Sequence, residues 1–304
     1  MKIVYAGSPE YAVAPLKALI DEGKHVVAVI TQPDKPVGRK GVLTPTPVKQ
    51  FAVQSGIPVY DWAKIREHED EVRSFGADLM ITCAYGQILT RGILQAFDKG
   101  VYNLHASLLP LYRGASPIQS AILAGERYTG VTVMKTELEL DSGGILLVKR
   151  IETGGMTCGE LSAELSSLSA QAAVECVELL EKGQDELLVQ DEAKATYCKK
   201  ISKADAKINF KESGERVANL INAMSPSPAA FAMLGGVAVN FLKAAPCEGS
   251  AGAGEVVRAD KGGIVIACGD GAVNITRLQF AGGKPLTAAD AVNGRKIKAG
   301  DKFD

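Results

Sequence analysis

The stretch KIVYAGSPEYAVAPLKALIDEGKHVVAVI, residues 2–30, decides the fold. Lys2 to Ala6 is a short apolar run closed by Gly7. His25 to Ile30 (HVVAVI) is continuous and β-branched, as in a strand buried on both faces of a sheet. Between them, Val13, Leu16, Leu19 and Ile20 fall on one side of a helix over Tyr11 to Ile20. The alternation continues outward in ADLMITCA (77–84) and VYNLH (101–105), each preceded by polar, helix-compatible sequence. Strands alternating with helices imply a Rossmann-like, mainly parallel α/β sheet with right-handed crossovers. Ligands of such sheets bind beyond the carboxyl ends of the strands. The first turn there, Gly7-Ser8-Pro9-Glu10, lacks G-x-G-x-x-G, and Pro9 removes an N–H that a pyrophosphate would use. No G-x-x-x-x-G-K-[ST] occurs either. Dinucleotide-dependent oxidoreductases and P-loop enzymes both lose their main support.

The second half reads differently. TGVTVMKT (129–136) and ILLVKRI (145–151) are further strands, and Gly159 to Gly183 is a long helix. From Gln190 to Lys207 the sequence turns polar and carries Lys194, Lys199, Lys200, Lys203 and Lys207, which reads as a basic linker. Beyond it, a short helix near Val217 to Ala223 leads into glycine-separated short strands, the pattern of a small β-barrel. The expected domains are therefore 1–189, a linker over 190–207, and a C-terminal barrel over 208–304.

Composition narrows the functions. The 304 residues carry 46% apolar and 23% charged side chains, the balance of an ordinary globular protein rather than a disordered one. The 34 basic and 35 acidic side chains nearly cancel, so a polyanionic partner must be met by a local basic patch. No targeting segment opens the chain, and no window approaches the roughly 20 apolar residues that span a bilayer. The six cysteines are scattered without a C-x-x-C pair, which predicts reduced thiols, a cytoplasmic location and no metal site.

The densest polar cluster in an apolar setting is VYNLHASLLPLYRGASP, residues 101–117. Asn103 and His105 flank Leu104, so a strand of period two presents both on one face. An amide donor beside an imidazole can hold a developing oxyanion, and equally can be the satisfied polar pair of a strand end. Asp141, in ELELDSGGILL, is either a third member of that site or the carboxylate of a solvated Asx-turn. His25 and His68 have the settings of structural or exposed residues.

These pieces, taken in order, resemble the formyltransferases that use 10-formyltetrahydrofolate. The pattern is Asn103-Leu104-His105, Ser107-Leu108-Leu109-Pro110, Arg113-Gly114 and Asp141-Ser142-Gly143. The likeness extends through YAGSPEYA (5–12), TQPDKPVGRK (31–40), PTPVK (45–49), AYGQIL (84–89), RGASPIQSAILAGE (113–126), TGVTVM (129–134) and QDEAKATYCKKISKADAKINF (190–210), almost the whole chain. This form of the pattern implies that the acceptor is the α-amino group of methionine on initiator tRNA. Asn103 and His105 would then donate to the oxyanion, and Asp141 would help move a proton from the amine toward N10 of the folate. Ser107, Leu108, Leu109 and Pro110 would line the folate site with Gln87, Ile88 and Leu89.

The resemblance also implies a tRNA surface. The proline-rich loop Thr31 to Lys49 would contact the acceptor end through Arg39, with Lys35 and Lys40 beside it. Lys199, Lys200 and Lys203 would continue a phosphate track toward the C-terminal domain, which would be OB-like and bind tRNA. Two positions depart from the family: Gly41 and Val42 follow where further basic residues are common, and SPSPAA (225–230) lacks tryptophan. No metal is needed, no membrane is involved, and a monomer is expected. Related chemistries with other acceptors remain open on these residues: a glycinamide ribonucleotide or nucleotide-sugar formyltransferase, or a hydrolase releasing formate. An RNA-binding module that has kept only the pocket is the alternative from a different class.

Overall fold

Each apolar run of the first half folds as a strand of one seven-stranded sheet. In chain order these are β1 (Lys2–Gly7), β2 (His25–Ile30), β3 (Val59–Tyr60), β4 (Leu79–Cys83), β5 (Gly100–His105), β6 (Tyr128–Lys135) and β7 (Ile145–Glu152). The computed structural model describes residues 1–38 and 41–304. The sheet order is β7-β6-β5-β4-β1-β2-β3. Pairs β1–β2, β1–β4, β2–β3 and β4–β5 are parallel, and β5–β6 is antiparallel. Strand β4 is buried throughout, and β1 is buried after Lys2, as expected of central strands covered on both faces.

The chain builds outward from β1 to β2 and β3, then returns to lay β4 and β5 on the other side. That reversal opens a crevice beyond the carboxyl ends of β1 and β4. Side chains tie it together: the Gln32 backbone N–H donates to Ser8 Oγ at 3.1 Å, and Gln32 Nε2 donates to the Tyr85 carbonyl at 3.1 Å.

The loop after β2 has more structure than its prolines suggest. Lys35–Val37 and Val42–Thr44 pair as an antiparallel hairpin, and α2 (Pro47–Gln54) starts at a Thr46 cap. Lys49 Nζ holds the base of this insertion to Asp34 at 2.7 Å and Asp61 at 2.8 Å. Those carboxylates, Asp34 first, raise the lysine above its ordinary range. Over Tyr11 to Ile20 a 3₁₀ turn, Glu10–Ala12, precedes α1 (Val13–Asp21). The long helix expected at Gly159 to Gly183 is α3 (Cys158–Glu181).

Two compact units form, and their boundaries differ from those expected. The first comprises residues 1–117, 129–151 and 162–198; the second comprises 118–128, 152–161 and 199–304. Residues 190–198 are thus not a bare linker. The reason is Arg113, a guanidinium 1% exposed, which needs acceptors in the absence of water. Gln190 and Glu192 supply them, and Tyr197–Cys198 pairs in parallel with Arg113–Gly114.

The second unit carries an antiparallel sheet of β8 (Ala230–Leu234), β9 (Val237–Cys247), β10 (Val256–Asp260), β11 (Gly263–Ala267), β12 (Ala272–Phe280) and β13 (Leu286–Thr287). The order is β8-β9-β12-β11-β10, with β13 on β12. Helix α4 (Gly214–Ala223) buries Val217, Ala218 and Ile221 in a core shared with Phe241, Ile264 and Ile275. The last residues bond to both outer strands or their approaches: Asp304 N–H to the Met233 carbonyl at 3.0 Å, and Phe303 N–H to the Gly254 carbonyl at 2.9 Å. Among the described residues, no helix is long and apolar enough to cross a membrane.

Candidate active site

Asn103 stands near the carboxyl end of β5, where the parallel register sets it beside Thr82 of β4. The Thr82 hydroxyl donates to Asn103 Oδ1 at 2.9 Å. A hydroxyl can turn its proton toward the amide oxygen, which fixes the amide's orientation and leaves its –NH₂ directed away from Thr82. That –NH₂ has no partner among the described residues, and Asn103 is only half-buried. It is a donor held ready.

His105, two residues on, is 5% exposed. Its Nε2 lies 3.0 Å from the Tyr112 carbonyl and its Nδ1 lies 3.6 Å from Asp141 Oδ2. Both ring nitrogens therefore face oxygen acceptors, and which of them donates follows the tautomer of the ring. Asp141 Oδ2 also accepts the Gly114 backbone N–H at 2.8 Å. His105 and Asp141 thus meet in space, Asn103 lies two residues before His105 on the same strand, and the Gly114 N–H of the Arg113-Gly114 motif holds the Asp141 carboxylate.

The backbone around them is unusual. Ala84, Tyr112 and Asp141 all have positive φ without being glycine, at 47°, 60° and 50°. Such conformations persist only where surrounding bonds over-determine them, and they gather at functional sites. The two glycines here answer close approaches. A Cβ on Gly143 would lie 1.8 Å from the Lys135 carbonyl oxygen, and one on Gly114, with φ of 117°, would lie 2.4 Å from that of Cys198.

The folate residues read from sequence divide into two sorts. Ile88 is 89% exposed at the tip of the loop after β4, and Leu108 and Pro110 are half-buried beside the β5 end. The others are committed to the protein. Gln87 accepts the Ile65 N–H at 2.7 Å and donates to the Trp62 carbonyl at 2.9 Å. Ser107 donates to the Leu111 carbonyl at 2.6 Å, Leu109 is buried with Met134 and Ile145, and Leu89 packs in a core cluster with Ile65, Ile93 and Phe97. These side chains shape the loops. The Leu109 backbone N–H donates to Thr132 Oγ1 at 3.1 Å, and that hydroxyl donates to the Ser107 carbonyl at 2.7 Å.

Lys35 is exposed on the hairpin; Arg39 and Lys40 lie outside the described residues. In the second unit Lys199 pairs with Asp205 at 3.0 Å, whereas the exposed Lys200 and Lys203 have no ion-pair partner among the described residues. His68 stacks on Trp62 at 4.4 Å and pairs with Glu71, a structural setting. Cys83, next to the site in sequence, is fully buried and pushed up to about 12, so it offers no thiolate. Among the described residues, no group of three or more His, Cys, Asp or Glu could hold a metal ion.

An amide donor and a histidine–aspartate pair at the carboxyl ends of a mainly parallel sheet suit transfer of an acyl-like group to a nucleophile. The chain belongs to the formyl transferase family: residues 1–177 match its formyl transferase domain and residues 200–296 its formyl transferase C-terminal domain. The methionyl-tRNA formyltransferase of Ectopseudomonas mendocina is 42% identical over 299 residues, 97% of this chain and 95% of that protein. The methionyl-tRNA formyltransferase of a Sulfurihydrogenibium species is 40% identical over 311 residues and the whole of both chains. The fold is shared with the N-formyltransferase of Helicobacter canadensis, crystallised with folinic acid and dTDP-3-aminofucose. That structure has a TM-score of 0.69 at 19% identity, covering 90% of this chain and 98% of that one.

Proposed function

We propose that this chain transfers the formyl group of 10-formyltetrahydrofolate to the α-amino group of methionine esterified to initiator tRNA. The observation that carries the chemistry is the Asn103 –NH₂, without a partner among the described residues, on the strand that also carries His105 of the His105–Asp141 pair. Near-full-length identity of about 40% to methionyl-tRNA formyltransferases carries the acceptor. An unperturbed α-amine, with a pKa of about 7.7–8.0, leaves a usable neutral fraction at pH 7. Its nitrogen bonds to the formyl carbon as the carbonyl pair moves onto oxygen. When that pair returns, the bond to N10 breaks, and the proton lost by the amine passes to N10. Asn103 –NH₂ stabilises the charge on oxygen. His105, backed by Asp141, serves the same charge and the proton transfer. Ile88, Leu108 and Pro110 would face the folate rings, while Gln87, Leu89, Ser107 and Leu109 hold the loops around them.

On this reading residues 1–189 form the catalytic domain, and residues 208–304, which lie within the second unit, form an OB-like barrel that binds tRNA. The bonding of the last residues to both sides of its sheet supports barrel closure. Lys35, Arg39 and Lys40 contact the acceptor end, and Lys199, Lys200 and Lys203 meet phosphates. The protein acts as a cytoplasmic monomer; six free thiols agree with the compartment.

The decisive experiment is transfer of labelled formyl from 10-formyltetrahydrofolate to initiator Met-tRNA, elongator Met-tRNA and free methionine. Rapid labelling of the initiator alone is expected. Formate release without acceptor labelling would leave a folate hydrolase and overturn the tRNA reading. The phosphate track has its own test. Lys200→Gln with Lys203→Gln is expected to reduce the slope of log K against log salt by up to about 2, one phosphate contact per lysine. An unchanged slope removes both lysines from the interface.

A further inference from the structure

Gln190 is only 6% exposed, and its amide is fully used. Nε2 donates to the carbonyl oxygens of Asp141 at 2.8 Å and Gly143 at 2.7 Å. Oε1 accepts from Arg113 Nε at 3.1 Å and Nη2 at 2.8 Å. Arginine can only donate and carbonyls can only accept, so a flipped amide would set donors against donors and acceptors against acceptors. One orientation is allowed.

Arg113 is fixed in turn. Its guanidinium forks onto the Glu192 carboxylate at 2.7 and 2.9 Å, and its backbone N–H donates to the Thr196 carbonyl at 2.9 Å. A continuous line of bonds thus runs from Glu192 through Arg113 and Gln190 to the main chain of Asp141. That main chain needs a hold, because Asp141 sits at φ of 50°. From there its carboxylate accepts the Gly114 N–H at 2.8 Å and lies 3.6 Å from His105 Nδ1.

We infer that Gln190 is a positioning residue for formyl transfer. It clamps the carbonyls on either side of Ser142 so that the Asp141 carboxylate stays beside His105. The inference rests on the formyl-transfer reading above. Gln190 acts through the turn from Asp141 to Gly143 and not as a catalytic group.

Gln190→Glu separates this role from simple pairing with Arg113. The variant keeps the length and the acceptor facing Arg113, but sets a carboxylate against two carbonyls where two N–H donors stood. Turnover is expected to fall by about 10²-fold, as for a misplaced catalytic group, with KM for folate and Met-tRNA unchanged. Gln190→Ala, which loses the donors without adding charge, should fall alike and serves if the glutamate variant does not fold. Combined with Asp141→Asn, either change should cost nothing further, because the two share one pathway. Wild-type turnover in Gln190→Glu, or equal costs in both backgrounds, overturns the positioning role alone. A wild-type chain that labels no acceptor overturns the formyl-transfer reading and this role with it, so the two failures are told apart.

Discussion

Asn103→Ala is expected to lower turnover by about 10²–10³-fold, the usual cost of removing one donor to a developing oxyanion. The reasoning starts from what the side chain lacks. Its oxygen is occupied by the Thr82 hydroxyl at 2.9 Å, and its –NH₂ has no partner among the described residues. A donor left without a partner among the described residues suits a charge that appears only during reaction, so its loss falls on kcat rather than on binding. Affinity for tRNA should stay near wild type, because the lysines read as phosphate contacts lie on other segments. Thr82→Val tests the same logic one bond away. It keeps the shape and removes the hydroxyl that fixes the amide, a bond worth about 1 kcal/mol, so turnover should drop about 5-fold. Single-turnover rates with initiator Met-tRNA measure both. A near-normal rate in Asn103→Ala would falsify its role as oxyanion donor.

The sheet was legible because its strands announce themselves. HVVAVI and LMITC are largely apolar without a polar–apolar alternation, and such runs have few homes other than parallel strands covered on both faces. Asn103 and His105 were legible for a related reason, since period two puts residues flanking Leu104 on one face whatever the rest of the chain does. Asp141 stood out only through the family likeness, because its left-handed turn and its bond to Gly114 depend on a neighbour 27 residues away. Gln190 opened the last stretch of the family likeness, 190–210, but nothing in the sequence gave it a role. A polar stretch with lysines reads as a linker until a buried arginine 77 residues earlier is seen to require it. Gln87 and Ser107 show the converse. Their motif is real, but their polar atoms are taken by backbone groups of Trp62, Ile65 and Leu111, which periodicity cannot reveal.

Asp141→Asn should be the most damaging conservative change, costing about 10²–10⁴-fold in turnover. The two side chains are nearly the same size, so the loop need not repack. What changes is the atom that Gly114 and His105 share, because Oδ2 accepts the Gly114 N–H at 2.8 Å and lies 3.6 Å from His105 Nδ1. If the asparagine oxygen takes that position, the Gly114 bond survives but the charge beside the imidazole is gone. If the –NH₂ takes it, a donor confronts the Gly114 N–H, and the turn already strained at φ of 50° loses a bond as well. Either outcome leaves the imidazole without its anionic partner, and the proton leaving the amine then lacks an assisted route to N10. Unfolding temperature should change little in the first case and fall in the second, so thermal melts identify which rotamer forms. Steady-state kinetics across pH then decide the mechanism. Turnover within a few-fold of wild type would make Asp141 a turn residue only, with proton transfer carried by His105 and solvent.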